Sequence, residues 1–355
     1  MRTDFELALE ALRQDTQRIT SLTLSRLSAP SRAERAAFAR LWETFDVLAR
    51  RAVVTRLAEA AEDSVDLDYA DLYRLFLGDA DAAVRRSAID GLWEDERLDL
   101  VATFMQLLAK DPDDAVRAAA ATALGRFVFM AECDELEERH GAAIRSALEG
   151  VVLDYSQPVE VARRALESLA HINDERVRGM IDWAYEQGDE LLRISAVFAM
   201  GRSADATWAE TVLEELASEQ PALRYEAARA CGEIQITRAV EPLIALANGS
   251  DDDIRMVAIW SLGQIGGDRA RRSLERLAES RSEIVAQAAE DALAELEFCT
   301  RDLDLLVTKY GDAEMEGEHW SDDEDDDDAL SDEDGGELED DADDWEDEPL
   351  DLDSE

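Results

Sequence analysis

A phrase that returns every 31 residues constrains this chain more than any other feature. It reads "DELLRISAVFAMGRS" from Asp189, "QPALRYEAARACGEI" from Gln220 and "DDDIRMVAIWSLGQIGG" from Asp251. Arg193, Arg224 and Arg255 fall in register, and upstream "AAVRRSAIDGLW" and "DAVRAAAATALG" set Arg85 and Arg117 32 residues apart. A fixed period of this length marks an array of stacked supersecondary units. Within the phrase Ile254, Ala258, Ser261, Leu262 and Ile265 recur at helical spacing and form one apolar face. Between successive phrases lies a second helical pattern, Trp208, Val212, Leu213 and Leu216 in one unit and Val240, Leu243, Ile244 and Leu246 in the next, with no strand-like alternation. Each unit is therefore two antiparallel helices, turned by short polar stretches such as "SEQP" and "NGSDDD". Ser250 with Asp253, and Ser280 with Glu283, have the spacing of a capping box and predict helix starts near Asp251 and Arg281.

The acidic turn, the aliphatic-Arg pair, the alanine three residues beyond it and the Leu-Gly or Met-Gly at the helix end resemble HEAT repeats. The resemblance is to the short bacterial kind, similar to the HEAT-like repeats of phycobilisome lyases. It covers roughly Leu67 to Leu296 as seven units and implies an all-α, HEAT-like α-solenoid. The third unit has Ala162 at the arginine position with Arg163 beside it, and "FVFMAECDELEERHGAAIRSALEG" lengthens the preceding period, which predicts a bend or an enlarged first helix there. The chain divides into an N-terminal helical cap over 1–63, the solenoid over 64–298, a linker over 299–310 and a tail over 311–355. The cap reads as two long amphipathic helices split at "SAPS", with Pro30 ending the first and Ser31 and Glu34 capping the second.

The net charge of −49 is unevenly spread. Residues 311–355 hold 26 acids and no lysine or arginine, which leaves −23 for residues 1–310. Neighbouring tail charges lie within a Debye length of about 8 Å and repel. The few apolar residues among them cannot offset an ordering cost of about 1–2 kcal/mol per residue, so an intrinsically disordered acidic tail is expected. Trp320 and Trp345 interrupt the acids and give the tail the look of a linear motif that engages basic proteins, beside the simpler reading of a solvating tail. The same charge argues against direct nucleic-acid binding, which draws on clustered lysine and arginine. No run approaches about 20 apolar residues, and "MRTDFELALEAL" carries acids where a leader would be apolar, so no membrane association is expected. Cys133, Cys231 and Cys299 lie far apart without a CxxC, and a cytoplasmic location follows.

The column Arg85, Arg117, Arg193, Arg224 and Arg255 could grip an anion. The resemblance implies a structural ladder instead, each arginine pairing with an acid of a neighbouring turn, for which Asp81, Asp113, Asp189 and Asp252 are at hand. Gly125, Gly201, Gly232 and Gly263 read as helix ends and close-packing points. Counting the aliphatic residue before the arginine as zero, the positions two, three, six and ten residues on face away from the core. Positions two and six carry Ile194 and Phe198, Tyr225 and Arg229, Met256 and Trp260, two columns with the composition of an interaction hot spot; the other reading is that they are core. In the first two units the same faces hold Arg86, Asp90 and Glu94, then Ala118, Thr122 and Arg126, a mixed surface.

These residues make a non-catalytic scaffold, binding a protein partner on its concave wall, the expected function. A chaperone for basic proteins is its sharper form. The lyase resemblance keeps a chromophore-lyase-like enzyme open, with no catalytic residue to carry it. His140, His171 and His319 are followed by Gly, Ile and Trp, so the His-Glu pairs of the HEAT-like di-iron hydroxylases are missing, and no metal or cofactor is expected.

Overall fold

Trp208, Val212 and Leu216 on one helix and Leu223, Ala227 and Ala230 on the next are buried against each other, and that arrangement repeats along the chain. The structure, a computed structural model, describes the backbone of residues 3–311 and side chains as far as Phe298. The solenoid begins with α5 (Ala70–Phe76) and α6 (Ala82–Asp90), after α1 (Asp4–Gln14), α2 (Ser21–Ser25), α3 (Arg32–Trp42) and α4 (Val47–Asp63). Then come the pairs α7 (Asp99–Lys110) and α8 (Asp114–Glu132), α9 (Glu138–Leu153) and α10 (Val159–Leu169), and α11 (Glu175–Gln187) and α12 (Glu190–Arg202). The last are α13 (Ala209–Glu215) and α14 (Pro221–Glu233), α15 (Val240–Ala247) and α16 (Asp252–Ile265), and α17 (Gly267–Ala278) and α18 (Glu283–Gly311), so the seven units are present. No strand occurs among the described residues.

The second helices α6, α8, α10, α12, α14 and α16 stack directly on one another, while the first helices touch their neighbours only sparsely. The tighter row lies on the inside of the curve, and it owes its tightness to small residues. A Cβ at Gly201 would fall 2.7 Å from Ala230 Cα, at Gly232 2.8 Å from Ser261 Oγ, at Gly125 2.8 Å from Ser168 Oγ and at Gly263 2.9 Å from Ala292 Cβ. Two of these contacts carry a hydrogen bond between helices: Ser168 Oγ donates to the Ala121 carbonyl at 2.9 Å and Ser261 Oγ to that of Ala228 at 2.7 Å.

The second helices also end alike. Asp134, Ala204, Gln235 and Gly266, just past α8, α12, α14 and α16, have φ of 60°, 51°, 59° and 70°. The amides of Glu135 and Ile236 reach back to the carbonyls of Met130 and Cys231 at 2.8 and 2.9 Å, the closing bonds of a left-handed C-cap. Only at Gly266 does the residue type suit that backbone.

Three expectations are corrected. The N-terminal region is four helices: the side chains of Thr20 and Asp46 each cap a new start, at Thr23 and Ala49, and break the two long helices read there. These four extend the stack, α1 and α3 leading to α5 and α2 and α4 to α6. Trp42 stacks on Phe76 at 4.1 Å between ring centroids and its Nε1 donates to the buried Asp79 at 2.8 Å, which seals the joint. The Ser31 and Glu34 capping box is present. At α16, however, Asp251 is the cap, accepting from the Ile254 amide at 3.1 Å, and Ser250 is not; before α18 Ser280 accepts only from Ser282, at 3.2 Å. The lengthened period comes from both helices of the turn, with α8 at 19 residues and α9 at 16. α18 continues through 299–310, the stretch read as a linker, where neither Gly nor Pro interrupts the sequence. The acidic tail beyond Gly311, with Trp320 and Trp345, lies outside the described residues.

Candidate protein-interaction surface

Thirty-four of the 36 basic residues are arginine, and the fork of the guanidinium suits the turns of this array. Arg85 donates to both Asp111 oxygens at 2.6 and 2.7 Å and to the carbonyls of Asp79 and Ala80 at 2.8 and 3.1 Å. Arg224 reaches the carbonyls of Ser218 and Glu219 at 2.7 and 3.0 Å, and Arg255 that of Gly249 at 2.6 Å. Arg117 holds the Leu108 carbonyl at 3.0 Å together with Gln157. Arg193 holds Glu215 at 2.5 Å and Tyr185 Oη at 3.2 Å. All five arginines are engaged, mostly with turn carbonyls. The acids read as their partners do other work: Asp81, Asp113 and Asp189 cap α6, α8 and α12, Asp81 pairing also with Arg51, and Asp252 meets Arg255 within its own helix.

On the inner row the two predicted columns are neither sealed nor fully open. Trp260 is 41% exposed, and Ile194, Phe198, Tyr225, Arg229 and Met256 are half-buried. Tyr225, Arg229, Met256 and Trp260 line one cleft of about 450 Å³ between α14 and α16, together with Arg202, Glu233, Asp253 and Val257. Phe198 lies beneath its edge, with the guanidinium groups of Arg229 and Arg202 over the ring at 4.5 and 5.5 Å. Ile194 packs on the core one helix away and does not reach the cleft. A second cleft of about 440 Å³ crosses α6, α8 and α10, with Trp93, Arg86, Asp90, Arg126, Glu160 and Arg164 around an alanine floor. Its mixed charges match the mixed surface read there.

The charge network beside the first cleft was not read from the sequence. Arg229 donates to Glu233 at 3.1 and 3.2 Å, a pair that its four-residue spacing on α14 could have signalled. Across α10 and α12, the wholly buried Ser195 donates to Glu167 at 2.5 Å and accepts from Arg163 at 2.9 Å. Glu226 sits among these groups with its Oε2 buried and without a hydrogen bond; the nearest cation, Arg229, is 3.7 Å away. Burial pushes its carboxyl up to about 7, Glu167 and Glu233 add to the rise, and Arg229 and Arg163 oppose it. A folded state that keeps a proton the unfolded chain has lost grows less stable as pH rises from about 4.5 through 7. Glu226→Gln is expected to remove that slope and to gain about 2 kcal/mol over the unaltered chain above pH 8. Urea midpoints across pH 5–9 check it; parallel curves for the two chains would refute it.

Stacked helical pairs with a hydrophobic seam and an accessible inner wall define an α-solenoid of the protein-interaction class. Residues 70–148 and 209–294 match the family model of HEAT repeats, and the chain is a HEAT-repeat protein. No curated protein resembles it closely enough to count as a relative. Among solved structures it is similar to the complex of CpcE and CpcF of phycocyanin lyase from Nostoc sp. PCC7120, with 20% identity and a TM-score of 0.49 over 70% of this chain and 94% of that one. It is similar to YibA of Escherichia coli, with 14% identity and a TM-score of 0.43 over 84% and 97%. For importin beta the values are 13% and 0.42, over 81% of this chain and 46% of that one. These likenesses concern the fold. Among the described residues no helix is long and apolar enough to cross a membrane, and no three of His, Cys, Asp and Glu are grouped to hold a metal ion.

Proposed function

We propose that the protein is a non-catalytic cytoplasmic scaffold that holds a protein partner on the inner wall between α12 and α16, its acidic tail drawing in basic partners. The observation that supports this reading most is the half-exposed Trp260 standing over a cleft that also presents Tyr225, Met256 and Arg229. Large aromatic, Met and Arg side chains at the centre of a concavity are what interface hot spots are made of. The net charge of −49 supports a basic partner, since like-charged surfaces would be repelled before contact. A role as escort for basic proteins is the same proposal in sharper form.

Trp260→Ala is expected to cut partner recovery at least about tenfold, in keeping with a hot-spot loss of about 2 kcal/mol or more. Quantitative affinity purification of the tagged full-length chain from its native cells, with Trp93→Ala as the comparison, gives the result. The melting curve should stay unchanged. Equal recovery with the two variants, or an aggregated Trp260→Ala chain, would return Trp260 to the core.

A further inference from the structure

The cleft between α14 and α16 is closed at one end by charges that already satisfy one another. Arg229 is held by Glu233, Arg202 lies 3.7 Å from the same carboxylate, and both stand over Phe198. The other end is different. Of the three acids that open α16, Asp251 caps the helix and Asp252 pairs with Arg255 at 2.5 Å, but the exposed Asp253 has neither a hydrogen bond nor an ion pair among the described residues. Asp253, Met256 and Trp260 stand at i, i+3 and i+7 on one helix face, and all three line the cleft with Tyr225.

An apolar band that ends in a free carboxylate between two aromatic rings selects the chemistry of its occupant. An apolar side chain would leave Asp253 partly desolvated and unpaired, which is costly. An acidic one meets Asp253 and a body at −23. A side chain with a hydrophobic stem and a cationic head satisfies both parts, and a planar guanidinium can stack on an indole while it forks onto a carboxylate. We infer that the cleft receives an arginine from an extended basic segment of the partner, its stem along Met256 and Val257 and its head between Trp260 and Asp253. This rests on the docking wall proposed above and adds to it the chemical class of what docks.

The test uses the full-length chain carrying ¹³C-methyl methionine and a blocked nonapeptide of Gly, Ser, Ala and Leu with one central arginine, beside its twin with the neutral isostere citrulline. The Met256 methyl, assigned with Met256→Leu, reports on the cleft and is blind to capture by the acidic tail. The arginine peptide should give a saturable shift of that methyl, with affinity at least about fivefold weaker for the citrulline twin and for the Asp253→Asn chain. Equal responses to the two peptides, an Asp253→Asn chain that behaves as the unaltered one, or no saturable shift overturns the assignment. If Trp260→Ala still releases the partner in that event, only the arginine falls and the wall stands.

Discussion

Asp111→Ala lowers the unfolding free energy by about 3–5 kcal/mol, the cost of leaving a buried cation without its partner. Arg85 is 8% exposed and two of its nitrogens spend their hydrogens on the Asp111 carboxylate, which is itself buried in the turn before α8. Burial alone would push the Asp111 carboxyl up; the hydrogen bonds from Arg85 and the Asp113 amide outweigh it and hold the group below the usual carboxylate range. A depressed carboxyl contributes stability that is present above its unfolded value and lost as pH falls through the folded one. The pair therefore persists at neutral pH and fails only in acid. Urea unfolding at pH 7 measures the loss. Asp111→Asn, which keeps an acceptor, should lose less than Asp111→Ala, and equal losses would mean that the carboxylate charge and geometry are irrelevant.

Gly201→Val is the second large effect. Any Cβ at this position lies 2.7 Å from both Ala230 Cα and Cβ, and the first of these is backbone, so α12 and α14 must separate. Overpacking of this kind costs about 3 kcal/mol. The seam is continuous, and a wedge at Gly201 displaces the helices that carry Phe198 and Arg229 as well. Gly179→Ala in α11, on an open face with nothing within 4 Å of the new methyl, should instead stabilise by up to about 1 kcal/mol through helix propensity. Circular dichroism of both variants under urea separates the two; a Gly201→Val chain as stable as the unaltered one would show that the rows are not in close contact.

The 31-residue recurrence made the paired helices and the seam of Gly201, Gly232 and Gly263 legible, because a contact that repeats leaves a repeating residue. The partners of the ladder arginines were less legible. Arg224 and Arg255 bind backbone carbonyls, and a carbonyl is present whatever the residue, so it leaves no trace in the sequence. The short α2 escaped for a related reason: five residues make too little of a period to see. In the site, spacing along one helix placed Met256 and Trp260 together, but which two helices enclose the cleft depends on the stack, and Ile194 fell outside it. Glu226 was missed because its distinction is a lack of partners, which only three-dimensional neighbours reveal.

Ala204, Gln235 and Gly266 share a left-handed backbone at intervals of 31 residues although their side chains have nothing in common. For alanine and glutamine that conformation costs about 1–2 kcal/mol, so the exit direction of each second helix is imposed by the neighbouring layers and held against local preference. A single pair cut out of the array would relax its exit and lose the angle at which the next pair is laid. A whole period duplicated in place would instead meet a bend already set, which makes the array easy to lengthen and hard to divide.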